Sequence, residues 1–496
     1  MLTAGLGGVG RHGCVALSVS GRLQGVCRQE RISRVRDAGF TPRGLPDDAL
    51  DVLLERQHLT RRSIDRFVAA EPIASVQEPV VEQLDHHLAH AAAAYLSSPF
   101  PSAAILICDD DAPAVSLWSG DGTTLTRIDW AWNGPGLSAL YTECALLLGL
   151  ASPGSEGRFE ALARLMPDQT CERLATVLDT DGHSLLMRPG WRSEAAELLG
   201  GVQAPPESAG AAACLQRRIA EIAVALVSAL RSRSDSEYLC LGGTLFDHSA
   251  INTAIAASGL FARVHLPVDT GNAGLAVGTA LYADGCKPLR VSPFLGPSYG
   301  REEIKSTLDN CKLNYAWESE DGVINTVVQA LRDGQMVGWF EGSMEWGPRA
   351  LGARCILANP LAPYVLENLN RFLKHREPWR GYALSGLESA VETHFDGPAR
   401  AAFMEYDYRP KDPGRLATIL PAAGAAVRLQ TVGDEAPPRF KRLLEAFGDA
   451  TGFPFLVNTS FNGFREPIAC SPRDAVRVYY GTGLDVLVAD QFVLKK

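Results

Sequence analysis

The sequence predicts an α/β fold, and three observations carry that prediction. Residues 15–21 and 23–30 alternate around Ser20-Gly21 as a β-hairpin, short apolar strands then alternate with helical stretches, and the alternation resumes beyond a Pro/Gly-rich segment. A strand pair, mixed helices and strands, and a later strand–helix set is the outline of a duplicated actin- or sugar-kinase-like fold, although periodicity alone supports only α/β. At 496 residues the chain exceeds the ~250–300 residues beyond which single cores seldom grow, so more than one domain is expected.

Taken in order, Leu45 to Leu54 reads as a short helix. Asp85-His86-His87-Leu88-Ala89-His90 then leads into an alanine run that favours helix, which puts His86 and His90 at i and i+4 on one face. Side chains so spaced lie about 6 Å apart at Cβ and can grip one metal, and imidazole nitrogen suits Fe, Zn, Ni or Cu. A buried strand, Ala103 to Cys108, ends in Asp109-Asp110-Asp111, where α/β sheets place their ligands.

Helices are expected at Leu137 to Leu150 and Ala211 to Ser232, a strand at Tyr238 to Leu241 ending in Gly242-Gly243, and a small-residue helix opened by Gly271-Asn272-Ala273-Gly274. Residues 287–300, with Pro288, Pro293, Gly296 and Pro297, read as an interdomain linker. Beyond it come helices at Arg301 to Leu308 and Gly322 to Arg332, and a strand at Met336 to Phe340. A helix at Pro438 to Ala450, a strand at Phe453 to Val457 and a helix from Arg473 to Tyr480 complete the pattern.

The balance of 47 basic against 57 acidic residues, a net charge of −10, argues against a polyanion-coating protein but not against a local anion pocket. No nucleic-acid or membrane partner is expected. Eleven scattered cysteines without a C-x-x-C pair favour reduced thiols in a cytoplasmic protein. The N-terminus lacks a signal-peptide core, and no apolar run approaches the ~20 residues of a membrane span.

The most informative stretch is EGSMEWGPRALGARCILANP, Glu341 to Pro360. Glycines let the backbone pass close to a ligand, and Arg349 and Arg354 offer planar forks for phosphate or carboxylate oxygens; a strand–turn–helix connection with surface arginines would read the same way. Lys374, Arg376, Arg380 and Arg428 bring the cations of this region to six, which implies an anion to be held. Asn458-Thr459-Ser460-Phe461-Asn462 follows a strand with side chains suited to an amide-like group, or to a turn and helix cap.

On EWGPRALGAR, KHREPWR, NTSFN and the EPI at Glu466 to Ile468, the chain resembles the O-carbamoyltransferases that modify nodulation factors and antibiotics. The resemblance implies a metal-binding, Kae1-like carbamoyl-transfer domain at 1–290 and a YrdC-like domain at 293–496 that forms carbamoyl-adenylate from carbamoyl phosphate and ATP. It implies Fe(2+) or another divalent metal on His86, His90 and Asp109, and Mg(2+) with ATP. His86, Asp109 and Arg349 are the implied catalytic residues. Arg354, Lys374, Arg376, Arg380 and Arg428 would hold phosphates, while Asn458, Ser460 and Asn462 would orient the carbamoyl end. The acceptor would be a hydroxyl of a small secondary metabolite, as in antibiotic biosynthesis. With the two residue sets on opposite sides of the linker, the half-reactions are expected to be separable.

The chain departs from the family pattern at several points. Asn272 stands for an aspartate ligand, Asp247 for an asparagine, Arg11-His12 for His-Asp, Glu160-Ala161 for Met-Gly, and Ala422 to Ala426 for H-V-D-G-T. A neutral amide is a poorer ligand than a carboxylate, so weaker metal retention is expected. The loss of polar groups at 422–426 keeps open an altered homologue that transfers another acyl group or serves as a metabolite-binding partner subunit.

Overall fold

The computed structural model describes residues 1–73, 80–110, 113–150, 154–201, 203–422 and 424–496. Two positions singled out above, Asp111 and Ala423, lie outside them. The fold is α/β, and the first half contains the same sheet twice. β1 (Leu2–Gly7), β2 (Cys14–Val19), β3 (Arg22–Arg28), β4 (Arg66–Ala69) and β5 (Val81–Gln83) pair in the order β3-β2-β1-β4-β5. The β1–β2 and β2–β3 pairs are antiparallel, the β1–β4 and β4–β5 pairs parallel.

β6 (Ser102–Cys108), β7 (Val115–Asp121) and β8 (Thr124–Arg127) form the corresponding meander. After a ribbon of β9 (Leu178–Thr180) and β10 (Leu185–Met187), the parallel pair β11 (Tyr238–Gly242) and β12 (Arg263–His265) joins it. The order β12-β11-β6-β7-β8 repeats the first sheet strand for strand, with the same directions. This is the duplicated actin- or sugar-kinase-like plan expected from the sequence.

Helices His86–Leu96 and Leu275–Ala283 pack together beside these sheets. Alanine and glycine permit the close contact: a Cβ on Gly278 would sit 2.1 Å from the Ala89 carbonyl oxygen. Residues 287–300 contain no helix or strand.

The second half is built on ten strands: β13 (Ala316–Trp317), β14 (Val337–Phe340), β15 (Arg354–Ala358), β16 (Ala383–Leu387), β17 (Phe395–Asp396), β18 (Asp407–Pro410), β19 (Val427–Val432), β20 (Phe455–Ser460), β21 (Val486–Ala489) and β22 (Phe492–Lys495). They form one mixed sheet in the order β13-β22-β21-β14-β15-β20-β16-β19-β18-β17. Helices Glu320–Arg332 and Pro438–Thr451 bury Val323, Val327, Phe440, Leu443 and Phe447 against one face. All eleven cysteines are free thiols. No helix among the described residues is long and apolar enough to cross a membrane.

Two local expectations change. The 341–353 segment is neither turn nor helix but the broad connection between antiparallel β14 and β15. Asn458, Thr459 and Ser460, expected just after a strand, are the last three residues of β20 and pair with Leu357, Ile356 and Cys355.

Candidate functional site

The Asp85 carboxylate caps the His86–Leu96 helix by accepting the Leu88 N–H at 2.8 Å. His86 and His90 then stand one turn apart, facing Asp109 at the end of β6. Asp109 Oδ2 lies 2.9 Å from His86 Nε2 and 3.4 Å from His90 Nε2, and Oδ1 accepts the Thr244 N–H at 2.9 Å. That last bond needs Gly243, whose φ of +99° carries the chain past β6 where a Cβ would lie 2.1 Å from the Cys108 carbonyl oxygen.

Burial opposes ionisation of Asp109, but His90 and His86 outweigh it and hold the carboxyl well below its usual range. Ligand atoms of His86, His90 and Asp109 all lie within 4.8 Å of one another. His87 turns away to Ser116 Oγ at 2.6 Å, and burial pushes its pKa down to about 4.

A cavity of about 630 Å³ lies beside this triad, with Thr244, His248 and Asn272 from the first half and Arg349, Arg376, Arg380, Arg428, Asn458 and Ser460 from the second in its wall. Ala425 and Ala426 also line it, so the apolar replacement of H-V-D-G-T faces the chamber. Asn272 Oδ1 is buried with no hydrogen-bond partner among the described residues, and it also lines an adjoining cavity of about 300 Å³.

The six cations divide into two groups. Four line the chamber and crowd one another. Burial and then Arg428 lower the Arg349 pKa to about 10, and burial and then Arg376 do the same to Arg380. Arg376 stacks on the Tyr382 ring at 3.8 Å while its Nε donates to Asn370 Oδ1.

Arg354 and Lys374 are not in the wall, contrary to expectation. Arg354 is 0% exposed and donates to the carbonyls of Glu341, Gly342 and Ala353. Lys374 Nζ donates to the carbonyls of Ser460 and Asn462 and to Asn462 Oδ1 at 2.6, 3.1 and 2.7 Å. Burial holds that amine well below its usual range. Both pin backbone.

Asn458 Nδ2 donates to the Ala350 carbonyl and Ser385 Oγ at 3.0 and 2.8 Å, leaving a buried Oδ1 with no partner among the described residues. Ser460 Oγ donates to Asn462 Oδ1 at 2.8 Å, and Asn462 faces the smaller cavity rather than the chamber.

Sequence reasoning missed two carboxylates. Glu345 is fully buried, and its Oε1 accepts the N–H groups of Leu351, Ala353 and Arg354 at 2.7, 2.7 and 3.2 Å, which shapes the loop that presents Arg349. Glu160, from the helix Ser155–Ala163, pairs with Arg428 at 2.9 Å and Arg164 at 2.7 Å and accepts the Ser249 N–H. Burial works against its charge, yet Arg164 and Arg428 hold it well below the carboxylate range.

Turn 243–249 joins the two residue sets. Thr244 reaches Asp109, the Asp247 carbonyl accepts from Arg349 Nη2 at 3.2 Å and Arg428 Nη2 at 3.0 Å, and Ser249 Oγ accepts from Arg428 Nε at 3.0 Å. Residues from both sides of the linker therefore meet at this turn.

Residues 54–281 match the family "Carbamoyltransferase N-terminus" and residues 328–496 match "Carbamoyltransferase C-terminus". An uncharacterized protein, sll1178, of Synechocystis sp. is 30% identical over 92% of this chain and 83% of its own. The nodulation protein NolO of Bradyrhizobium diazoefficiens is 28% identical over 83% of this chain and 79% of its own. Nodulation protein U of the same organism is 31% identical over 45% of this chain and 38% of its own.

Proposed function

The chain belongs to the carbamoyltransferase family, and from that premise we propose that it is an ATP-dependent O-carbamoyltransferase. Carbamoyl phosphate and ATP form carbamoyl-adenylate with release of phosphate and pyrophosphate, and the carbamoyl group passes to a hydroxyl of a small acceptor. The observation that carries this reading is the single chamber that Arg349, Arg376, Arg380 and Arg428 share with Asn458 and with the turn whose Thr244 N–H binds Asp109.

Each chamber residue has a task in this reaction. Arg349 and Arg380, destabilised as cations by burial and by each other's neighbours, regain favourable charge when a phosphate enters. Arg376, fixed by its Tyr382 stack, presents a plane to the same oxygens. Asn458 Oδ1 is an acceptor with no donor, a state costing about 1–3 kcal/mol, and the NH2 of a carbamoyl group supplies the donor. Ser460 Oγ adds a hydroxyl to the same wall. Residues 1–290 carry the transfer step and 293–496 most of the adenylation step, with Glu160 and Asp247 completing the latter from the first half.

His86, His90 and Asp109 fit a divalent metal: two imidazoles and a carboxylate converge with ligand atoms all within 4.8 Å of one another. Fe(2+) or another divalent ion held there supplies Lewis acidity toward a carbonyl or hydroxyl oxygen. The direct test of the function is pyrophosphate release from ATP that depends on carbamoyl phosphate. No such release from folded protein would overturn it.

A further inference from the structure

His248 is a chamber residue that the reading above leaves without a task. It is the residue after Asp247, whose carbonyl holds Arg349 and Arg428, and four residues after Thr244, whose N–H holds Asp109. Its backbone is therefore part of the turn that contacts both the chamber arginines and Asp109.

Its surroundings fix it in one orientation. One face stacks on Tyr141 with ring centroids 3.8 Å apart and planes 14° from parallel. Tyr141 is itself fully buried and locked by donating its hydroxyl to Gln216 Oε1 at 2.8 Å. The His248 Nδ1 edge is buried, has no hydrogen-bond partner among the described residues, and lies 3.8 Å from Glu160 Oε2. A carboxylate on that side favours the tautomer with hydrogen on Nδ1 and the lone pair on Nε2, and His248 lines the chamber.

We propose that His248 is the general base that takes the proton of the acceptor hydroxyl during carbamoyl transfer, with Glu160 as a positioning residue behind it. The proposal rests on the carbamoyl-adenylate reading. As the acceptor oxygen bonds to the carbamoyl carbon, its proton moves to Nε2. The bond from that carbon to the phosphate oxygen breaks, and AMP leaves with the electron pair. Glu160 offsets the imidazolium charge, and the proton then passes to solvent. A base in hydrogen-bond reach of its proton contributes roughly 10²–10⁴-fold to such a step. His12 is the competing imidazole in the chamber wall, with its Nδ1 3.6 Å from Asp37 Oδ1.

The test compares two nucleophiles in the full-length protein supplied with ATP and carbamoyl phosphate. Hydroxylamine attacks carbamoyl-adenylate without needing a base, so ATP-dependent hydroxyurea reports adenylate formation. AMP release with glycerol as the hydroxyl probe reports the base-dependent step. His248→Gln is expected to keep hydroxyurea formation within about three-fold while the glycerol-dependent rate falls about 100-fold or more, with partial recovery on adding imidazole.

Equal losses in both assays, no loss in either, or the selective loss appearing in His12→Gln instead, would overturn the assignment. Wild-type protein that forms no hydroxyurea and releases no pyrophosphate overturns the adenylation reading, and the base assignment with it.

Discussion

Arg428 of β19 donates to both carboxylate oxygens of Glu160, at 2.9 and 3.0 Å, so a cation of the second half is paired with an anion of the first. Their side chains are 7% and 5% exposed, and Arg164, Ser249 and Asp407 extend the cluster. Removing one member of such a cluster leaves uncompensated buried charge, which costs about 3–5 kcal/mol. Glu160→Ala is expected to lower the unfolding free energy by about that amount in a denaturant titration, and the Arg428→Ala loss should not add to it in a double-mutant cycle. Fully additive losses would mean that the pair is not coupled.

The same pair sets a pH dependence. Glu160 is held well below its ordinary value, so its contribution to stability is complete above the unfolded pKa of about 4.3 and is lost as pH falls through the folded value. Stability of the wild-type protein is expected to decline more steeply below about pH 4.3 than that of Glu160→Gln. Parallel acid limbs for the two proteins would contradict this.

The division of the six cations predicts two phenotypes. Arg349→Ala and Arg376→Ala should each weaken ATP or carbamoyl-phosphate binding about ten-fold or more, since a charge-assisted hydrogen bond is worth roughly 1.5–3 kcal/mol. Arg354→Ala should instead reduce stability, because the Glu341, Gly342 and Ala353 carbonyls lose their donor. Calorimetry beside thermal melts separates the cases, and unchanged affinity in both Arg349→Ala and Arg376→Ala would remove the chamber from the argument.

At the triad, His86→Ala is expected to abolish divalent-metal retention measured on purified protein, and Asn272→Asp to tighten it by supplying a carboxylate at a position whose Oδ1 is unpartnered. Unaltered metal content in His86→Ala would exclude the site.

Much of this was legible in local pattern. Helical spacing put His86 and His90 on one face and strand topology put Asp109 where α/β sheets place ligands, while the resemblance joined the three, and their ligand atoms converge. The duplicated sheet was legible only in outline, as an opening hairpin and a later strand–helix set, and the meander of β7 and β8 that completes the repeat was not read. Tertiary pairing was not. Glu160 was noticed only as a replacement for methionine, since a glutamate inside a nine-residue helix reads as a surface residue until Arg428, 268 positions away, is placed on it. Arg354 carried a usable signal: it directly precedes the apolar run Cys355-Ile356-Leu357-Ala358, so the backbone was entering a buried strand where its guanidinium would meet carbonyls.

The last prediction concerns the order of the two steps. Adenylation draws on the arginines, whereas transfer draws in addition on the triad side of the turn at 243–249. Arg349→Ala should therefore stop pyrophosphate release and carbamoyl transfer together. His86→Ala should leave pyrophosphate release running while the acceptor stays unmodified, because His86 stands with Asp109 on the triad side of that turn while the four arginines line the chamber from the second half. Glu160→Gln should weaken both steps, since it loosens Arg428 in the phosphate wall and the turn that carries Ser249. A fragment covering 293–496 would lack Glu160 and the Asp247 carbonyl, so it should release pyrophosphate more slowly than the full chain even when folded. Pyrophosphate release from that fragment at the full-length rate would show that the adenylating site is complete without the first half.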